Sequence, residues 1–246
     1  MNANITKQLL ELNRRFYTEY GQDFSATRGR LQTGVQGVID TLGGDESILD
    51  LGCGNGRLAR TLSRRGHQGA YLGLDFSLPL LSEAGSEAFT FPAEFRQADL
   101  AFDNWEDVIA GTARNDGRDI VLAFAVLHHI PGDELRLNIL RKVHELLKPT
   151  GRFVHSNWQF LNSEKLKARI QAWASIGLRE TDVDANDYLL DWRRGGQGLR
   201  YVHHFAESEL AELAQASGFE VHEMFYSDGE NKRLSIYQTW RKAKRS

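Results

Sequence analysis

A glycine-rich stretch, Asp50-Leu-Gly-Cys-Gly-Asn-Gly56, holds the residues whose spacing most directly indicates chemistry. The short apolar run that begins at Ser47 and reaches Asp50 predicts a buried strand, and Arg57–Ser63 directly after the glycines predicts the start of a helix. Because glycine has no Cβ, the backbone can bend sharply here and a ligand can lie against it. The stretch therefore predicts a ligand-binding loop, although a strand-to-helix turn without a ligand also fits the glycines alone.

Two more acidic residues stand where predicted strands end. The apolar run Ala70–Leu74 ends in Asp75, and Glu94–Gln97 leads to Asp99. A carboxylate at the end of the second strand of an open α/β sheet can accept hydrogen bonds from both ribose hydroxyls of a nucleoside. Asp99 is expected within reach of an adenine amino group. Together with Asp50, these acids outline a nucleoside pocket.

The glycine spacing departs from that of dinucleotide-binding loops. The pattern G-x-G-x-x-G would place its third glycine at position 57, where this chain has Arg57, and the glycine comes one residue early as Gly56. The match to an NAD or FAD loop is therefore imperfect.

The order of these features resembles the class I S-adenosylmethionine-dependent methyltransferases, whose junction after the fourth strand is similar to Asp119–Ala125 followed by Val126–Pro131. The resemblance implies that S-adenosylmethionine is the cofactor and S-adenosylhomocysteine the product. By the same resemblance, cofactor contacts fall to Asp50, Gly52, Cys53, Gly54 and Gly56 at the methionine part, Asp75, Phe76 and Ser77 at the ribose, Asp99 and Leu100 at the adenine, and Ala123 and Ala125 beside the transferred methyl.

Strands that alternate with helices predict an α/β fold, and 246 residues with 41% hydrophobic content suffice for a single domain, residues 1–246. The predicted architecture is a Rossmann-like, doubly wound sheet of seven strands with helices on both faces. A short connection that contains Asp228-Gly229 joins the last two predicted strands, Glu220–Tyr226 and Leu234–Trp240. We therefore expect a mostly parallel sheet with an antiparallel C-terminal strand.

The amino-acid composition of the chain limits the kinds of partner that it is expected to bind and the compartment in which it is expected to lie. A net charge of −3 gives no global attraction to nucleic acid. The single cysteine, Cys53, excludes an internal disulfide and fits a reducing compartment. With no signal peptide and no apolar span of about 18 residues, the chain is expected to be soluble and cytoplasmic, without a membrane partner.

An amphipathic helix is predicted before the first strand, because apolar residues from Ile5 to Tyr20 recur at spacings of three and four. This helix is expected to cover one edge of the core. Beyond it, Arg28 could bind the methionine carboxylate of the cofactor, or it could be solvated, as most arginines are.

The segment 159–206 is longer than an ordinary connection of about 2–6 residues, so it is expected to hold an inserted structure. It leaves from the edge of the sheet where ligands bind, which predicts a substrate lid. Its aromatic and arginine side chains could stack on a base and pair with phosphate, or they could belong to a cap with its own small core. The residues assigned to the substrate are Trp158, Trp192, Arg193, Arg194 and Arg200.

A finer resemblance is to the tRNA wobble-uridine carboxymethyl methyltransferases, and it is carried by Tyr17, Phe24–Arg28, Val126–Ile130, Leu199–His203 and Phe205–Leu210. It implies methyl transfer to the carboxylate of a modified uridine in the tRNA anticodon, with Tyr17 and Arg28 at the cofactor. It also makes a small activating protein subunit a conceivable partner. A small-molecule O- or N-methyltransferase and a non-catalytic nucleoside-binding protein stay open as alternatives.

Methyl transfer is an in-line displacement at a sulfonium carbon, so the protein mainly aligns the reacting groups and excludes water. A carboxylate acceptor is already ionised at pH 7 and needs no general base. A phenol or amine acceptor could need one, for which His128 is favoured over His129, although both can be structural. His155, His203 and His204 are too scattered to form a metal site, so no metal is expected.

Overall fold

The computed structural model describes residues 1–26, 30–102, 104–109, 117–193 and 196–244, and the side chains of these residues except 22–26. The strands are β1 (Ile48–Leu51), β2 (Tyr71–Asp75), β3 (Ala93–Gln97), β4 (Arg118–Phe124), β5 (Leu147–Trp158), β6 (Ile170–Gln171), β7 (Asp187–Trp192), β8 (Gly198–His203), β9 (Phe219–Ser227) and β10 (Ser235–Lys242). The helices are α1 (Ala3–Ala26), α2 (Thr33–Ile39), α3 (Arg57–Arg64), α4 (Leu78–Ala84), α5 (Trp105–Ile109), α6 (Asp133–Leu146), α7 (Glu164–Lys167) and α8 (Glu207–Ala216).

Seven strands form the main sheet, in the order β3-β2-β1-β4-β5-β10-β9. The neighbours from β3 to β5 pair in parallel, and β10 is antiparallel to both β5 and β9. This confirms the predicted mostly parallel sheet with an antiparallel C-terminal strand. The chain reverses its direction of winding between β1 and β4, and that reversal creates a crevice at their carboxyl ends, where ligands bind in open α/β sheets.

Alternation along the strands places helices on both faces of this sheet. Ile48 of β1 packs in a cluster with Val35 of α2 and Leu58 of α3. The next residue, Leu49, points the other way and packs in a cluster that includes Ile139 of α6 and Leu210 of α8. Since successive side chains of a strand point to opposite faces, the unbroken burial of β1 shows that both sides of the sheet are covered here.

The stretch Lys148-Pro-Thr-Gly151 lies just beyond the C-terminal end of α6, within the next strand. Strand β5 begins at Leu147, directly after the last residue of α6. Leu147 pairs with Arg118 and Arg152 pairs with Ile120, so residues 148–151 bulge out of the ladder. A proline, which cannot donate a ladder hydrogen bond, is tolerated at such a bulge.

The inserted segment forms a second, three-stranded antiparallel sheet in the order β6-β7-β8, preceded by α7. Leu9 of α1 packs in one cluster with Trp173, Leu189 and Tyr201 of the insertion. The apolar face of α1 thus covers the inserted sheet rather than an edge of the main core. Although α1 has 24 residues, no helix in the described ranges combines the length and the apolar character needed to cross a bilayer.

A buried ionic network fastens the inserted sheet to the main fold. Arg136 of α6 is fully buried and donates to Tyr201 Oη at 2.9 Å, and Tyr201 Oη donates to Asp187 Oδ1 at 2.6 Å. His203 Nδ1 lies 2.7 Å from Asp187 Oδ1, and its Nε2 lies 2.7 Å from Glu209 Oε1. Ionised carboxylates can only accept hydrogen bonds, so this geometry requires a proton on both ring nitrogens.

The protonation of His203 links the stability of the fold to pH. Burial lowers the pKa of His203, but its hydrogen bonds to Asp187 and Glu209 outweigh burial and raise the pKa above its usual 6.5. A histidine with a raised pKa contributes stability that is fully present below the unfolded value and is lost as pH rises through the folded value.

We expect His203→Gln to lower the free energy of unfolding by about 1–3 kcal/mol at pH 6, because one of the two carboxylates loses its donor. The deficit relative to wild type should be smaller at pH 9, because the wild-type imidazole loses its extra proton as pH rises through its raised pKa. Urea unfolding at the two pH values measures both quantities. His222→Gln, at an exposed position of β9, is the control, and an equal deficit at both pH values would contradict a charged His203.

Candidate functional site

A cavity of about 270 Å³ lies at the carboxyl ends of β1, β2 and β4. Its floor is the glycine loop after β1, and α1 crosses above it with Arg14 and Tyr17 in its lining. Helix α1 therefore separates this cavity from the inserted sheet. The cavity occupies the crevice between β1 and β4 that the winding of the sheet creates.

The three loop glycines have different physical roles. A Cβ on Gly52 would lie 2.6 Å from Val126 Cγ2, and one on Gly56 would lie 2.8 Å from the Cβ of Ala84. Gly54 has a φ of +55° and no heavy atom within 4 Å of the position that a Cβ would take. Since Gly54 lines the cavity, that open position is where a ligand can approach the backbone. Gly56, predicted to contact the cofactor, does not line the cavity and instead serves packing against α4.

Asp75 holds the glycine loop against the end of β2. Its Oδ2 accepts a hydrogen bond from Gly54 N at 2.9 Å, and its Oδ1 accepts one from Ser77 N at 2.9 Å. Burial raises the pKa of Asp75, although these backbone N–H groups act in the opposite direction. Each carboxylate oxygen has a second lone pair, so the side chain, which lines the cavity, can still accept hydrogen bonds from a ligand.

Asp50 is the most deeply buried acid in the cavity lining, at 4% exposure. Its Oδ2 accepts a hydrogen bond from Tyr71 Oη at 2.5 Å. Burial raises the pKa of Asp50 to about 7, while the Tyr71 hydrogen bond lowers it and the charge of Asp75 raises it further. A positively charged ligand would favour the ionised form of this carboxyl group.

The predicted adenine partner, Asp99, is already engaged by α1. Arg14 donates from Nη2 to Asp99 Oδ2 at 2.6 Å, and its guanidinium lies 4.4 Å from the ring centroid of Phe102. Asp99 Oδ1 accepts a hydrogen bond from Ala101 N at 3.0 Å. Arg14 and Phe102 both line the cavity. Sequence reasoning missed Arg14, which precedes Tyr17 by three positions and therefore shares its helix face.

The two histidines of the predicted junction have different positions. His129 lines the cavity, and its Nδ1 lies 3.3 Å from the carbonyl oxygen of Tyr201, which can only accept. In the neutral imidazole, Nε2 is then unprotonated and accepts a hydrogen bond from Tyr17 Oη at 2.7 Å. The basic nitrogen of His129 is therefore occupied by the Tyr17 hydroxyl.

His128, the histidine favoured from the sequence, does not line this cavity and is 2% exposed. Its Nδ1 accepts a hydrogen bond from Trp158 N at 3.2 Å. The neutral ring must then carry its proton on Nε2, so it presents no free basic nitrogen. The geometry therefore corrects the catalytic assignment of His128, and His129 is the histidine at the cavity.

The predicted RNA-facing surface of the insertion is also corrected. Arg200 and Trp192 are only 4% and 6% exposed. The Arg200 guanidinium lies 4.8 Å from the ring centroid of Trp158 and 5.3 Å from that of Phe16, and it hydrogen-bonds with Tyr17. Arg200 thus braces Tyr17 from inside the protein. This arrangement matches the alternative of a cap with its own small core.

The other residues assigned from the sequence are exposed, lie outside the described residues, or are buried away from the cavity. Arg193 is exposed and paired with Asp191 at 2.7 Å, and Arg28 and Arg194 lie outside the described residues. Ala123 is fully buried in the core cluster with α6 and does not reach the cavity. The predicted cofactor residues that line the cavity are Tyr17, Asp50, Gly52, Cys53, Gly54, Asp75, Phe76, Ser77, Asp99, Leu100 and Ala125.

Comparison with known proteins identified sequences that are similar to this chain. A protein of Encephalitozoon cuniculi, named as a candidate methyltransferase, is 29% identical over 84% of this chain and 86% of its own length. The tRNA (carboxymethyluridine(34)-5-O)-methyltransferase ALKBH8 of Mus musculus is 26% identical over 62% of this chain. The match spans only 21% of the mouse protein, so the chain corresponds to about a fifth of that relative.

Solved structures share the fold at lower identity. The 1,6-didemethyltoxoflavin-N1-methyltransferase of Burkholderia thailandensis, solved with S-adenosylhomocysteine, aligns with a TM-score of 0.62 and 19% identity over 99% of this chain and 92% of its own. A complex of the Haloferax volcanii Trm112 activator with its candidate methyltransferase aligns with a TM-score of 0.65 and 14% identity, covering 96% and 99% of the two chains.

A family model described as a methyltransferase domain matches residues 17–224. The match covers the strands that form the cavity, the glycine loop and the inserted sheet. The open position at Gly54 and the acids at the strand ends fit S-adenosylmethionine, whose demethylated product, S-adenosylhomocysteine, is bound in the Burkholderia structure. The chain therefore belongs to the methyltransferase domain family, and it is an S-adenosylmethionine-dependent methyltransferase.

Proposed function

We propose that the methyl acceptor is the carboxylate of a carboxymethyl-modified uridine at the wobble position of a tRNA. The observation that carries this proposal is the hydrogen bonding of His129, which lines the cavity, and of its neighbour His128. The basic nitrogen of His129 accepts a hydrogen bond from the Tyr17 hydroxyl, and Nδ1 of His128 accepts one from the backbone N–H of Trp158. An acceptor that arrives already ionised fits such a site better than one that must be deprotonated there.

The positive charge of Arg200, which hydrogen-bonds with Tyr17, also favours an anionic acceptor. Burial lowers the pKa of Arg200, while Tyr17 acts in the opposite direction. A guanidinium remains charged even when its pKa is lowered moderately, since its ordinary pKa is above 12. In the low dielectric of the protein interior, this cation attracts a carboxylate more strongly than it would in water.

Sequence similarity supports the same acceptor. The relatives from Mus musculus and Arabidopsis thaliana that carry the name tRNA (carboxymethyluridine(34)-5-O)-methyltransferase match 62% and 58% of this chain. They are 26% and 25% identical to it. Their matched segments span 21% and 32% of their own lengths, so their substrate is extended to this chain as a proposal.

Different residues of the chain are assigned to the parts of the cofactor and to the acceptor side. S-adenosylmethionine supplies an electrophilic methyl group on its sulfonium. We assign the ribose hydroxyls to Asp75, the adenine to Asp99 and Leu100, and the methionine part to Asp50 and Gly54. Tyr17, fixed by His129 and Arg200, closes the acceptor side and excludes water from it.

A small activating subunit is a further part of this proposal. The Haloferax methyltransferase, which shares the fold at 14% identity, was solved with such an activator. Purification of the tagged chain from its own cells, followed by mass spectrometry, tests for the subunit. Recovery of the tagged chain alone, at full activity on tRNA, would contradict it.

The acceptor is tested by incubating the protein and S-adenosylmethionine with tRNA from a strain that lacks the gene. Mass spectrometry of the digested nucleosides should show the carboxymethyluridine converted to its methyl ester. If purified protein and protein with cell extract both leave the tRNA nucleosides unchanged, the tRNA proposal fails and a small-molecule acceptor takes its place.

We expect His129→Asn to lower kcat by less than about tenfold and to leave its pH profile unchanged, because the proposed acceptor needs no general base. A general base contributes about 10²–10⁴-fold. Steady-state kinetics on tRNA from pH 6 to 9 measures both effects. His222→Asn is the control at an exposed position. A loss above a hundredfold that high pH restores would identify His129 as a base and contradict the ionised acceptor.

We expect the affinity for S-adenosylmethionine to rise by about tenfold between pH 6 and pH 8, because Asp50, with a pKa of about 7, becomes ionised over this range. The positive charge of the cofactor favours the ionised carboxyl group. In Asp50→Asn this contribution should be absent, whereas exposed Asp45→Asn should behave as wild type. Calorimetry measures the affinities, and equal pH dependence in wild type and Asp50→Asn would contradict the assignment.

A further inference from the structure

A second groove, of about 490 Å³, lies beside the cofactor cavity. Five arginines line it, Arg30 from the segment before α2 and the others from α3 and its end: Arg57, Arg60, Arg64 and Arg65. The other lining residues are Leu31, Gln36 and Thr61, so no carboxylate belongs to the described lining. Leu31 and Arg57 line both the groove and the cofactor cavity. The groove therefore adjoins the cofactor cavity.

The spacing of the arginines concentrates positive charge along one side of α3. Arg57, Arg60 and Arg64 are three and four positions apart, which places them on one helical face. Burial and the neighbouring charge of Arg60 lower the pKa of Arg57, while Glu83 acts in the opposite direction. Like charges this close repel each other, and an anion bound between them would relieve the repulsion.

Arg60 and Arg65 are held by carboxylates at the rim of the groove, whereas no described carboxylate holds Arg30 or Arg64. Arg60 lies 3.6 Å from Glu87 and donates to the carbonyl oxygen of Asn55 at 2.7 Å. Arg65 is paired with Asp40. Arg30 and Arg64 are exposed, and neither has a carboxylate within 4.0 Å among the residues that the structure describes. Their guanidinium groups can therefore bind an anion without breaking an ion pair.

The composition of the groove indicates which anion it fits. Guanidinium groups match the geometry of phosphate oxygens and bind them in pairs of hydrogen bonds. Among the residues that the structure describes, no aromatic side chain lines the groove, so these residues offer no platform on which a base could stack. Such a surface contacts a phosphate backbone without reading its sequence.

We propose that this groove binds the phosphate backbone of the tRNA and so leads its wobble uridine to the cofactor cavity. This inference rests on the proposed tRNA acceptor. It places the RNA contacts on the face of α3, whereas sequence reasoning placed them on the inserted sheet. There Arg200 and Trp192 are buried and Arg193 is paired with Asp191.

The test is the salt dependence of tRNA binding by the full chain. We expect the double variant Arg30→Gln/Arg64→Gln to bind labelled tRNA more weakly and with a slope of log affinity against log salt that is shallower by about two. Between 50 and 200 mM salt, wild type should then lose about tenfold more affinity than the variant. Fluorescence anisotropy measures the binding. The affinity for S-adenosylhomocysteine should not change, because neither residue lines the cofactor cavity.

Arg141→Gln/Arg241→Gln is the matched control, since it removes the same charge at exposed positions of α6 and β10. An equal change in the slope of log affinity against log salt in both double variants would contradict the assignment of the groove to the tRNA backbone. Wild-type protein that shows no salt-dependent tRNA binding would also contradict it. If a 5′-mononucleotide bound and only its binding depended on Arg30 and Arg64, the groove would hold the phosphate of a small acceptor instead. Conversion of tRNA nucleosides is measured separately, so failure of the groove leaves the proposed function to its own assay.

Discussion

The carboxylate of Asp75 is the group on which the arrangement of the site depends. By accepting hydrogen bonds from Gly54 N and Ser77 N, it ties the glycine loop after β1 to the start of α4. This contact fixes the open position at Gly54 toward the cavity, and it also turns the remaining lone pairs of Asp75 toward the same space. Gly52 N and Cys53 N also donate hydrogen bonds to the carbonyl oxygen of Leu74, so the backbone holds the start of the loop against β2 and Asp75 holds its middle.

Much of this site could be predicted from the sequence because it is local. The glycine loop follows β1, Asp75 ends β2 and Asp99 lies just beyond β3, and the carboxyl ends of parallel strands meet at one edge of the sheet. The seven-stranded order follows from the same alternation of strands and helices. The short connection through Asp228-Gly229 fixed the direction of the last strand pair.

The errors concern side-chain direction and distant packing. His128 and His129 are adjacent in the chain, and which of them meets the cavity depends on the 3₁₀ turn at Leu127–His129 and on the positive φ of 59° at Ala125. The sequence assigns Arg200 to the substrate, but three aromatic rings on separate segments enclose it. The contact of Arg14 with Asp99 joins residues 85 positions apart, so no local pattern shows it. The arginine face of α3 was visible in the spacing of the sequence, yet the near-neutral total charge concealed it.

We assign Asp75 two roles: it fixes the glycine loop, and it holds the ribose of S-adenosylmethionine. Calorimetry with S-adenosylhomocysteine tests this assignment most directly. We expect wild-type protein to bind this ligand in preference to NADH. Asp75→Asn should weaken the binding by at least about tenfold, since hydrogen bonds to a charged group contribute about 1.5–3 kcal/mol. Asp45→Asn, at an exposed carboxylate, should bind as wild type does. Preference for NADH, or unchanged affinity in a folded Asp75→Asn variant, would contradict the account.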